Sequence, residues 1–199
     1  MLSKHRGIIF YIFIIILSLM TGDLMAEDIL LLTINLEKSD HFSPLVRDLE
    51  EIFKRKTKLE EYNLDISFSY NHKRRQFHST PILKRLKDIF TEKDIILGIL
   101  DVDLYVEGLN FIFGEAQPLN KIAVISVKRL REEFYGLTED KDLFYQRTLK
   151  EAVHEIGHLF KLPHCPNPKC VMHFSNSLLD TDIKDFRFCP ICEKKLTIR

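Results

Sequence analysis

Excess charge of either sign is missing from this 199-residue chain: 29 Lys and Arg balance 29 Asp and Glu, at a pI of about 7.1. Without a surplus there is no electrostatic footprint for nucleic acid or for an anionic membrane surface, so neither is an expected partner. Glycine and proline are scarce, at seven residues each, and no Gly/Ser linker, Pro-rich tract or repeat interrupts the sequence. That excludes strings of linked domains and solenoids. It leaves one compact domain, with 45% apolar residues to fill a core.

Long apolar runs are limited to one, Gly7 to Met20, behind Lys4 and Arg6 and ahead of a polar break at Thr21 to Asp23. Its 14 residues are few for a bilayer, which takes about 20 in a helix. The three-part pattern, with Ala26 at a cleavage position, reads as a secretory signal peptide. Residues 1–26 are therefore expected to be a signal peptide or N-terminal anchor, and residues 27–199 the working domain. The expected location is secreted or periplasmic, with no stable membrane association after signal removal. An uncleaved segment makes the chain membrane-anchored, and translation from Met25 makes it cytoplasmic. Losing residues 1–26 changes the net charge only to −1.

Apolar periodicity gives the order of elements. DILLLTINLE from Asp28 reads as a buried first strand, and Ser43-Pro44 opens a helix with Leu45, Leu49, Ile52 and Phe53 on one face. Leu64 to Tyr70 alternates like a half-buried strand, and Ser79-Thr80-Pro81 starts a second helix, ILKRLKDIF. Residues 95–106 read as a central strand. LNFIFGEA (109–116) reads as an edge strand beside KIAVISVKRL (121–130). Residues 142–162 carry Leu143, Leu149, Val153, Ile156 and Phe160 at helical spacing. Strands alternating with helices predict an α/β domain with a mostly parallel sheet.

Four of the eight histidines and two of the four cysteines fall in one stretch, HEIGHLFKLPHCPNPKCVMH, from His154 to His173. His154 and His158 are four apart on the last helix, so both rings leave the same face and can reach one cation. Glu155 sits on an adjacent face, placed to take a proton from metal-bound water without being a ligand. His164, after the helix is stopped at Leu162-Pro163, offers a third ligand to a zinc with one open position. HExxH alone should arise by chance in roughly one shuffled version of this chain in forty; the added His lowers that to roughly one in a thousand.

The cysteines are all C-terminal: Cys165 and Cys170 in CPNPKC, Cys189 and Cys192 in CPIC. Two short loops with two thiolates each are the usual layout of a tetrahedral structural zinc site. Two disulfides in an oxidising compartment, or a redox CxxC, are alternatives at this stage.

With both sets in view the sequence resembles the archaemetzincins, a branch of the metzincin zinc peptidases. The pattern HExxHxxGxxHC, four residues, Cys, one residue, Met, a spacer and CxxC runs here as HEIGHLFKLPHC, PNPK, Cys170, Val171, Met172, sixteen residues and CPIC. The likeness extends through DVDLYVEGLNFIFGEA, ISVKRLREEFYG and MHFSNSLLDTD, covering most of residues 95–192. It implies a metzincin-like α/β (α+β) fold: a mixed, mostly parallel sheet with an antiparallel edge strand, an active-site helix, and a small zinc-clamped C-terminal subdomain over residues 165–199. It implies a zinc metallopeptidase with two zinc ions per chain. His154, His158 and His164 would bind the catalytic one; Cys165, Cys170, Cys189 and Cys192 the structural one. Glu155 would be general base and then proton donor to the leaving amine, Met172 would lie beneath the metal, and LNFIFGEA would be the cleft's upper rim. The expected partner is a peptide or protein substrate, and the expected state a monomer. The alternative is a secreted zinc-stabilised binding protein with little or no turnover. Lys161 departs from the pattern, standing where the family has Gly.

Overall fold

The computed structural model describes residues 27–36, 39–90 and 94–197; the expected signal peptide or anchor, residues 1–26, lies outside them. Strand β1 (Ile29–Ile34) leads to helix α1 (Ser43–Phe53) and strand β2 (Thr57–Tyr62). Short strands β3 (Tyr70–Asn71) and β4 (Gln76–His78) precede helix α2 (Ser79–Ile89), strand β5 (Ile95–Leu100) and strand β6 (Leu104–Tyr105). Strands β7 (Gly114–Gln117) and β8 (Ile122–Ser126) come before the long helix α3 (Lys141–Leu159). Two short helices, α4 (Leu178–Ile183) and α5 (Pro190–Thr197), follow.

The main sheet has the order β2-β1-β5-β8-β7. Its first four strands are parallel and β7 runs antiparallel to β8 at one edge, as predicted. A second sheet, β3-β4-β6, is small.

Both faces of the main sheet are covered, which explains why its central strands are continuous apolar runs rather than alternating ones. On one face Ile29, Leu31, Leu97, Ile99, Ala123 and Ile125 pack with α1 and with Leu149, Ala152, Val153 and Ile156 of α3. On the other, Leu32, Ile34, Ile96, Leu100 and Val124 pack with Ile82, Leu83 and Leu86 of α2. In β5 all six residues are buried. Gly98 lets the second layer close: a Cβ there would stand 2.9 Å from Ile34 Cδ1 and 3.1 Å from Val124 Cγ1.

Three local expectations are corrected. Residues 64–70 are not a strand: Asn35 brackets Leu64 by hydrogen bonds to its N–H and C=O, and Ser67–Ser69 is a 3-10 turn. Leu64 and Ile66 are buried for their own sake in the α2 layer, and that produced the alternation. The strand is TKLEEY, an edge strand whose exposed Lys58, Glu60 and Glu61 hid it. Ser79 does not cap α2 in the usual way; its hydroxyl turns to the Tyr105 carbonyl and the Glu115 carboxylate. The edge strand expected over 109–116 begins only at Gly114, because Ile112 instead bridges Leu104 of the small sheet.

Gly98→Val should overpack the α2 layer and lower stability by about 1–3 kcal/mol without changing the fold; urea unfolding followed by circular dichroism checks this.

Candidate metal sites and cleft

Helix α3 is capped by Asp140, whose carboxylate accepts the Leu143 N–H at 2.9 Å. From Arg147 to Gly157 every residue is buried, polar ones included. A helix sunk this deep brings titratable groups out of water, and their partners decide what they can do.

His154 donates from Nδ1 to the Val171 carbonyl at 2.7 Å, and His158 donates from Nδ1 to the Leu162 carbonyl at 2.8 Å. With Nδ1 carrying the proton, each Nε2 is left as a lone pair. Those lone pairs converge: His158 Nε2 lies 3.1 Å from His154 Nε2 and 3.2 Å from His164 Nε2. Around a tetrahedral zinc with bonds of about 2.0 Å, nitrogens stand about 3.3 Å apart. Burial holds all three imidazoles below their usual range, His154 furthest, which keeps them neutral and ready to ligate. The three residues expected from the sequence are thus brought together in a geometry that fits a cation.

His164 is delivered by a sharp turn. Lys161 N–H bonds the His158 carbonyl at 2.7 Å, Leu162 N–H bonds the Gly157 carbonyl at 3.0 Å, and Lys161 has φ +61°. This is the helix-ending motif that ordinarily takes glycine in its left-handed position. Lys161 adopts it nonetheless, and the buried Leu162 side chain supplies the usual apolar anchor.

Glu155 is buried, and burial, helped by the Glu151 carboxylate, pushes its pKa well above the usual carboxylate range. Its carboxylate occupies a slot that only glycine allows, since a Cβ on Gly114 would come within 2.6 Å of Glu155 Oε1. Gly157, inside HEIGH, makes a second such slot: a Cβ there would lie 2.5 Å from Met172 Sδ. Met172 is fully buried against α3. Neither glycine's role was read from the sequence, although a glycine in a strand or helix interior is the signal for a close approach.

The four cysteines also converge, their Sγ atoms all within 4.8 Å of one another. Cys165 and Cys189 Sγ are 3.8 Å apart and no disulfide joins any of the four. A disulfide needs about 2.05 Å, whereas thiolates around a zinc with bonds of about 2.3 Å stand about 3.8 Å apart. Burial raises Cys170 and Cys192. Burial opposes ionisation of Cys189 too, but hydrogen bonding from the Cys192 amide and the neighbouring thiols brings it down to about 7. Four adjacent thiols resist ionising together unless a cation compensates them, so this donor set fits zinc as well.

One segment serves both clusters. Cys170 enters the thiol cluster, Val171 gives its carbonyl to His154, and the Met172 carbonyl accepts the Cys165 N–H at 2.9 Å. His173 is no metal donor in this arrangement; its Nδ1 bonds the Cys165 carbonyl at 2.9 Å.

The histidines open on a cleft of about 330 Å³. Its roof is residues 111–118, including β7, and its far wall comes from residues 174–176 and Lys184. The Glu115 side chain fixes the roof to α2 by accepting from Ser79 and Thr80. Strand β7 pairs only with β8, so its other edge is free among the described residues.

Comparison with known proteins agrees with this geometry. The description "Peptidase family M54" matches residues 18–198. The archaemetzincin of Methanocaldococcus jannaschii is 54% identical over 132 residues, 66% of this chain and 72% of that protein. The crystal structure of a zinc-dependent peptidase from Methanocorpusculum labreanum superposes with a TM-score of 0.78 at 28% identity, over 84% of this chain and 99% of that one. That of the Archaeoglobus fulgidus archaemetzincin, complexed with malonate, gives 0.72 at 38% identity, over 84% and 99%. With three histidines and four cysteines clustered as the resemblance implied, the chain belongs to peptidase family M54, the archaemetzincins.

Proposed function

We propose that this zinc metallopeptidase carries two zinc ions per chain: a catalytic one held by His154, His158 and His164, and a structural one held by Cys165, Cys170, Cys189 and Cys192. The observation that carries the reading is the convergence of the Nε2 atoms at 3.1 and 3.2 Å, with the opposite ring nitrogens of His154 and His158 committed to backbone carbonyls. Zinc supplies a Lewis acid that polarises a peptide carbonyl and lets water lose a proton near neutral pH.

Glu155 receives that proton. Its carboxylate stands in the Gly114 slot and lines the same cleft as the three histidines. Burial favours its protonated form, so it holds the proton between abstraction and delivery to the leaving amine. The free edge of β7 supports an extended substrate, pairing backbone to backbone along the roof. The apolar N-terminal segment supports a secreted or periplasmic location, where a monomeric chain would meet peptides or unfolded proteins.

The two metals are coupled in this reading. The thiol cluster anchors the chain immediately after His164, so the Cys site restrains the third catalytic ligand and offsets the strain at Lys161.

Metal analysis of purified protein should give two zinc per chain, falling to one when Cys189 and Cys192 are both changed to Ser; no zinc in the wild type would sink the reading. Glu155→Ala should retain both ions yet cut cleavage of a mixed peptide library by about 100-fold or more. Equal activity of mutant and wild type would leave a zinc-stabilised binding protein as the better description. Lys161→Gly relieves a left-handed strain of about 1 kcal/mol and should raise stability by no more than that; a much larger gain in thermal unfolding would show that the cysteine site does not compensate.

A further inference from the structure

The far wall of the cleft contains two polar groups that the chemistry above does not use. Lys184 follows α4 directly, and its side chain is 0% exposed. The ammonium lies 2.9 Å from Glu151 Oε1, close enough for an ion pair. Beyond that ion pair, Nζ makes no hydrogen bond among the described residues. Ser175 Oγ, three residues beyond Met172, is likewise buried and unpartnered. Both residues line the same cleft as His154, Glu155 and His164.

Buried donors without a hydrogen-bond acceptor are costly, the more so on a charged group, so two in one wall need a reason. Loose packing does not supply it, because the segment is clamped. Arg147 grips Asp182 with two hydrogen bonds of 2.6 and 2.7 Å. Lys150 donates to the Thr181 and Asp182 carbonyls at 3.0 and 3.1 Å. Thr181 Oγ1 donates to Glu151 Oε1 at 3.2 Å. Helix α3 thus holds the end of α4 through Arg147, Lys150 and Glu151, on two adjacent turns, and fixes where Lys184 begins. Glu151 balances the charge of Lys184 but leaves its N–H groups without an acceptor.

We propose that Lys184 and Ser175 form the floor of a specificity subsite that takes a substrate side chain ending in a carboxyl or carboxamide oxygen, beside the bond to be cleaved. The acceptor these donors lack arrives with the substrate. Such a site discriminates strongly, because an aliphatic side chain leaves the donors buried and unpaired. The inference rests on the cleft being a peptidase site.

Binding is read apart from turnover, with zinc-loaded Glu155→Gln protein and fluorescence anisotropy. The probes are labelled peptides differing at one position, walked over two residues either side of the target bond, carrying Glu, Gln or norleucine. Each is made with a free and an amidated C-terminus. At one position Glu and Gln should bind at least about tenfold tighter than norleucine. The preference should shrink in Ser175→Ala and vanish in the charge-neutral pair Lys184→Met with Glu151→Gln. Equal binding of the three side chains at every position overturns the proposal, as does a preference that follows only the C-terminal carboxylate. A preference surviving in the double variant also overturns it; where that variant fails to melt cooperatively, an undiminished preference in Ser175→Ala does so. Failure of the wild-type enzyme to cleave any peptide counts against the peptidase reading alone, since the binding comparison does not depend on turnover.

Discussion

Two backbone carbonyls hold the histidine cluster in its working form. Leu162 and Val171 each accept the Nδ1 proton of one imidazole, and this alone determines which nitrogen of His158 and His154 faces the cleft. Both carbonyls lie in irregular chain. Leu162 is aimed by the left-handed residue Lys161, and Val171 is held by its own N–H bond to the Arg187 carbonyl and by Cys170 in the thiol cluster. Because the partners are main-chain atoms, no single side-chain replacement removes them; they are lost only if those segments move. The cysteine cluster therefore acts on the histidine cluster through the backbone.

The rest of the fold supplies depth and close approach. A sheet covered on both faces lets α3 sink until its residues 147–157 are all out of water, and that burial keeps His154 neutral and makes Glu155 a strong proton acceptor. Three glycines set the distances. Gly98 closes the α2 layer, Gly114 brings the roof strand down onto Glu155, and Gly157 admits Met172 beneath the helix. Opposite the roof, α4 and the residue after it are bound to α3 by two ion pairs, Arg147–Asp182 and Glu151–Lys184. One side of the cleft is therefore a free strand edge and the other a rigid polar wall.

Much of the site was legible because its chemistry depends on local spacing. Four residues on a helix put His154 and His158 on one face whatever surrounds them, and paired cysteine loops point to four sulfur atoms at one place. Local reading failed where an element answered to a distant partner. Leu64 and Ile66 imitate a strand because the α2 layer takes them in, while β2 hides behind the charges an edge strand exposes. Ser79 resembles a helix cap but serves Glu115, 36 residues away. Glu151, Ser175 and Lys184 carry no spacing signal at all.

The sequence by itself determined the donor atoms, their order along the chain and the family, because ligand chemistry and helical periodicity act over a few residues. It also marked Lys161 as a departure from the family pattern. Only the tertiary structure decided which nitrogens face the cleft, that the four thiols are unlinked, that two glycines are spacers for Glu155 and Met172, and that a buried ammonium waits in the cleft wall. Those facts depend on carbonyls and side chains brought together by the folding of the sheet and its helices, and no short-range pattern encodes them.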